Sequence, residues 1–114
     1  MKIGNSIKFV VALLLAVHVL PTFCNEQDWP GTINESVLVI ISELSEADKS
    51  RIKNFKQERL IEFHHGFGTG IRNDFGLWKG NNALIESACG KPCHPDTASM
   101  AIIDAVWRKL NEAP

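Results

Sequence analysis

The sequence has little of what usually betrays an activity. Its 114 residues contain no internal repeat, no low-complexity segment, no Gly-x-Ser-x-Gly elbow and no pair of histidines four positions apart. These absences remove repeat architectures, the common hydrolase nucleophile turn and a helical zinc-binding pair from consideration. A basic patch is missing as well. Twelve Lys and Arg stand against thirteen Asp and Glu, and the apparently basic stretch Lys49, Arg51, Lys53, Lys56 and Arg59 is interleaved with Glu46, Asp48, Glu58 and Glu62. That interleaving is how a solvated helix surface reads, so neither nucleic acid nor an anionic membrane surface is expected as a partner. No motif asks for a cofactor.

What is present begins with Lys2 and Lys8 ahead of the apolar run Phe9–Leu20, the layout of a signal peptide. As a helix the run would reach roughly 18 Å, against about 30 Å of membrane hydrocarbon, so it is too short for a stable membrane span. Pro21 ends it, and Thr22 and Cys24 supply small residues for cleavage after Cys24. An acylated Cys24 is the alternative, which the bulky Phe23 disfavours. Residues 1–24 are therefore expected to be a signal peptide and residues 25–114 a single helical domain, periplasmic or secreted. Losing Lys2 and Lys8 leaves ten basic against thirteen acidic side chains, a net charge of −3. Losing Cys24 leaves Cys89 and Cys93, which in an oxidising compartment are expected to form a disulfide.

The remaining pattern is helical. Thr32 followed by Glu35 is a capping box, and Ile33, Val37, Ile40, Ile41 and Leu44 recur at helical spacing. This predicts a first helix over 33–44. Ser45 caps a second, charged helix to about Lys53 that buries little beyond Ala47 and Ile52. A third is predicted over 57–73, although Gly66, Gly68 and Gly70 fall inside it at about 1 kcal/mol each relative to alanine. Close backbone approach, a ligand, or a break near Gly66 would each explain them. Leu77 and Trp78 read as core anchors after the turn Asn73–Gly76, and Trp29 as a residue that docks an extended arm. Asn82 caps a short helix to Ser87 or Ala88. The last helix starts at Pro95-Asp96 with Asp96 as its cap, and carries Met100, Ile103, Val106, Trp107 and Leu110 as its buried stripe. The fold class is all-α, a small bundle of four to five short helices.

Residues His64 to Trp78 read His-His-Gly-Phe-Gly-Thr-Gly-Ile-Arg-Asn-Asp-Phe-Gly-Leu-Trp. This stretch resembles a bacterial family known only as a domain of unknown function, marked by an Arg-Asn-x-Phe-Gly-Leu-Trp signature and a His-Pro-Asp-x-x-Ser helix start. The likeness extends to Trp29-Pro30 with the first helix, to Leu44-Ser45-Glu46, and to His94-Pro95-Asp96 through Ser99. It implies a compact helical domain, in many members without an assigned activity, and implies no substrate. The doubled His64-His65 departs from the more usual single histidine followed by a bulky apolar residue, which argues against a role for His65.

The residues offer three chemistries. A metal set drawn from His64, His65, His94, Cys89, Cys93 and Asp96 has poor spacing, because adjacent helical histidines point about 100° apart; no metal is expected. A hydrolytic set of Ser99, His64 and Asp74 or Asp96 competes with a plain role for Asp96 as a helix cap. The cluster Arg72-Asn73-Asp74, with His64 on the same helical line as Arg72 and Trp78 nearby, is the candidate binding surface. Its structural counterpart pairs Arg72 with Glu62, Asp74 or Asp104 and lets Asn73 end the helix in left-handed dihedrals. The sequence thus points to a binding or interaction module with a protein partner in the cell envelope, of immunity or inhibitor type. The competing reading is a small hydrolase or metal-dependent enzyme built on His64, Arg72 and Asp74.

Overall fold

In a computed structural model that describes residues 28–112, five α-helices and one 3-10 helix enclose a single apolar core, and no strand occurs among the described residues. The expected signal peptide, with Cys24, lies outside the described residues.

Helix α1 spans Ile33–Glu43. Its start is fixed by the Thr32 hydroxyl, which accepts from the Glu35 N–H at 3.1 Å, while the Glu35 carboxylate accepts from the Gly31 N–H at 2.9 Å. Two orphan donors are thereby satisfied, worth about 1 kcal/mol for the cap alone. Its inner face, Ser36, Val37 and Ile40, continues into buried Leu44. Ser45 then accepts from the Asp48 N–H at 3.0 Å and opens α2, Glu46–Lys53. Only Ile52 of α2 is buried; Ala47, expected inside, faces solvent.

The predicted third helix is two elements. Gln57–Phe63 is a 3-10 helix, His64 to Gly66 form a turn, and α3 runs Phe67–Asp74. Three residues per turn place Leu60 and Phe63 one above the other on the core side. The break falls at Gly66, where φ is −94° and an added Cβ would meet nothing within 4 Å, so neither space nor backbone conformation requires glycine there. Asn73 does not end α3 as expected, because it lies inside the helix. Termination belongs to Gly76, at φ +69°, with the Leu77 N–H donating back to Arg72 O at 3.1 Å in the six-to-one bond of a Schellman ending. Gly76 serves a second purpose. A Cβ there would sit 2.4 Å from the Trp29 ring, so this glycine is where the N-terminal arm docks.

Asn81, one residue before the expected cap, opens α4, Asn82–Cys89. Its side-chain oxygen accepts from the Leu84 N–H at 3.3 Å, and its amide donates to Pro30 O at 2.9 Å and Phe75 O at 2.8 Å. One buried amide therefore joins the arm, the end of α3 and the start of α4. Gly90, at φ +76°, ends α4, and Cys89 and Cys93 are bonded across the short loop that follows.

Helix α5, Pro95–Leu110, packs against every other helix. Its fully buried line is Ala98, Ser99, Ile102, Ile103 and Val106, a rotation of the expected stripe. Met100, Trp107 and Leu110 are only partly buried at its edge. The Trp107 indole N–H reaches Phe55 O at 2.9 Å, tying α5 to the segment between α2 and the 3-10 helix.

Candidate functional site

His64, Gly68 and Arg72 follow one another at intervals of four residues, and the structure gathers them under the N-terminus of α5. The Arg72 side chain is only 7% exposed. Its Nη1 donates to Ser99 Oγ at 2.9 Å and lies 3.4 Å from His64 Nδ1. Its Nη2 donates to His64 O at 3.2 Å and to Thr69 Oγ1 at 3.0 Å, and its Nε stands 3.4 Å from Asp96 Oδ1. All three guanidinium nitrogens are thus engaged within the chain, which is what a buried arginine needs to offset its lost hydration. Gly68 makes the room, since a Cβ there would stand 2.9 Å from Nη1.

The carboxylate of this ion pair is Asp96, in the first turn of α5. Of the partners expected for Arg72, Glu62 is bonded to Arg59 and Asp104 to Arg108 and Gln57. Asp96 does not cap α5 either. The cap is His94, whose Nδ1 accepts from the Asp96 N–H at 3.1 Å, because Pro95 at the first helical position makes the preceding residue the cap. The Asp96 side chain is thereby free to reach Arg72. Its other oxygen lies 4.0 Å from His64 Nε2 and 3.7 Å from His94 Nδ1. A His64 proton on Nε2 suits both of its contacts, leaving Nδ1 to face Arg72 and pointing the N–H at Asp96.

Exposure rises outward from this core. Ser99 is fully buried, with its hydroxyl donating to Asp96 O at 3.0 Å while accepting from Arg72. Asp96 is 45% exposed and His94 59%. Trp78, expected in the core, is 54% exposed and meets the His94 ring edge-on at 5.4 Å. It stands outside because Leu77 takes the inward place after the Schellman turn. The three consecutive residues Arg72, Asn73 and Asp74 do not share a face, since helical geometry turns each about 100° from the last. Arg72 is buried, Asn73 exposed and Asp74 half-buried.

Asp96, His94, Thr69 and Ser99 are the members of the cluster that nothing in the sequence tied to Arg72. The Pro95 position was the available sign for His94. Pairing of Arg72 with a residue twenty-four positions on had no local sign. Among the described residues, no helix is long and apolar enough to cross a membrane, and no three His, Cys, Asp or Glu side chains gather as metal ligands. A separate groove between α1 and α5 is lined by Val37, Leu38 and Ala105 together with the polar Asn34, Arg108, Lys109 and Glu112.

The fold and this cluster together define a small all-helical domain clamped by one buried arginine. The chain belongs to the family described as a domain of unknown function (DUF6794), which matches residues 29–110. No curated protein matches the chain, and no solved structure does.

Proposed function

We propose that this domain is an exported protein-binding module that presents Trp78, with His94 and the outer edge of Asp96, to a partner in the cell envelope. The supporting observation is the exposed Trp78 ring held edge-on by His94. A large aromatic steadied by a neighbour can bury much area at small entropic cost, which is why tryptophan dominates binding hot spots. In this reading the candidate residues divide. Arg72 and His64 hold the underside of the surface, Trp78 makes contact, and Asn73 and Asp74 stand at its margin.

Export is part of the proposal. Residues 1–24 act as the signal peptide, residues 25–114 form the delivered domain, and its destination is the periplasm or the outside of the cell. The Cys89–Cys93 bond suits an oxidising compartment. Within this class we favour an immunity- or inhibitor-type role, on account of the small size and the net charge of −3 that cleavage would leave. The hydrolase alternative has less support, because the Ser99 hydroxyl is fully buried and engaged at both ends.

The test is crosslinked capture from envelope extract with wild-type protein, Trp78→Ala and, as a control at another exposed apolar residue, Ile61→Ala. A specific partner held by wild type and Ile61→Ala but lost by Trp78→Ala is the expected result. Capture of nothing specific, or of a partner indifferent to Trp78, would overturn the proposal.

A further inference from the structure

We propose that His94 is a proton-operated cap on α5, so that the Trp78, His94 and Asp96 surface has two arrangements selected by pH. The geometry is that of one ring nitrogen with two claimants. In the neutral ring with its proton on Nε2, Nδ1 carries a lone pair and accepts the Asp96 N–H at 3.1 Å. The same nitrogen stands 3.7 Å from Asp96 Oδ2. A proton taken from solvent onto Nδ1 fills the lone pair, and a nitrogen bearing hydrogen cannot accept.

Protonation therefore removes the cap and places a positive ring at the positive end of the helix, an arrangement the helix dipole disfavours. The same proton gives Nδ1 a donor, and the nearest acceptor is Asp96 Oδ2. The ring turns from the backbone towards that carboxylate.

The groups facing the carboxylate from the other elements oppose each other's effects. Arg72 on α3 holds Oδ1 at 3.4 Å, and His64, in the turn before α3, faces Oδ2 at 4.0 Å. Arg72 keeps its charge throughout, so it anchors Asp96 while His94 moves. His64 already points its Nε2–H at the same oxygen, so a donor on His94 Nδ1 would share that acceptor with it. Trp78 rests edge-on against the His94 ring at 87° and follows it. The inference goes beyond the binding role and holds whether or not Trp78 touches a partner.

Nuclear magnetic resonance on the purified protein tests it without a ligand. At pH 8 the ring-nitrogen shifts of His94 should show the proton on Nε2. Between pH 8 and pH 5 the Asp96 amide shift should follow the His94 ring with the same midpoint, and its exchange protection, corrected for intrinsic rate, should fall about fivefold, the change expected for a lost helix cap. His94→Asn supplies a cap oxygen that does not titrate, so it should keep the protection at both pH values and abolish the step. Three results would each overturn the proposal: a neutral His94 protonated on Nδ1, an Asp96 amide that ignores the His94 titration, or a step that survives in His94→Asn and so belongs to His64.

Discussion

Replacing Arg72 by alanine probes the whole arrangement, because its guanidinium joins the turn before α3, α3 itself and the start of α5. The substitution strips donors from His64 O and from Ser99 Oγ, which is fully buried. Hydrogen bonds to a charged donor contribute about 1.5–3 kcal/mol each. Thr69 is exposed and Asp96 is 45% exposed, so water replaces much of what they lose and their share is small. The expected cost is about 4 kcal/mol, a large fraction of the roughly 5–15 kcal/mol that holds a domain of this size together. Urea unfolding followed by circular dichroism should show the midpoint lowered by about 4 M, taking a slope near 1 kcal/mol per molar. Arg72→Lys keeps the charge beside Asp96 but lacks the planar fork that reaches Ser99, His64 and Thr69 together, so it should recover less than half of the loss. An Arg72→Ala cost below about 1 kcal/mol would refute the clamp.

Other perturbations probe separate features. Gly76→Ala puts a Cβ into the Trp29 ring at a positive φ, and should cost about 2–4 kcal/mol in thermal or urea melts. The same melts should show almost no change for Gly66→Ala, where a Cβ would meet nothing. Reducing the Cys89–Cys93 bond should lower stability by about 2 kcal/mol on loop-closure grounds, read as a difference in urea midpoint with and without reductant. Burial works to raise the pKa of Asp104, but hydrogen bonds from Arg108 and Gln57 and the Arg108 charge outweigh it and hold the carboxyl below its ordinary value. A depressed carboxyl contributes stability above its unfolded value, near 3.9, and loses it as pH falls through the folded value. Wild type should therefore lose more stability than Asp104→Asn as pH drops from 5 towards 2, and equal losses would count against the Arg108 pairing.

Local chemistry made most of the fold legible. Thr32 and Ser45 cap α1 and α2 as their side chains require, and the line Val37, Ile40 and Leu44 is buried as its spacing implies. The Cys89–Cys93 pairing also forms. Where reading failed, two local solutions competed and tertiary packing chose. Asn73 and Gly76 could each end α3, and the docking of Trp29 against Gly76 favours the glycine. Asn81 and Asn82 could each cap α4, and Asn81 is the one whose amide also reaches Pro30 and Phe75. The alignment of His64, Gly68 and Arg72 was visible as helical spacing, whereas the ion pair with Asp96 depends on how α5 crosses α3. Trp78 shows the limit of composition, because a tryptophan next to a buried leucine carries no mark of which one faces inward.

The central place of α5 has a consequence for how the molecule is made. A chain that emerges from its N-terminus produces α1 to α4 before the helix against which all of them bury their apolar sides. Until residues 95–110 arrive, those sides lack their main cover, so the earlier segments stay loosely structured and fold together late. A polypeptide that matures in this order becomes rigid only when its last helix is delivered.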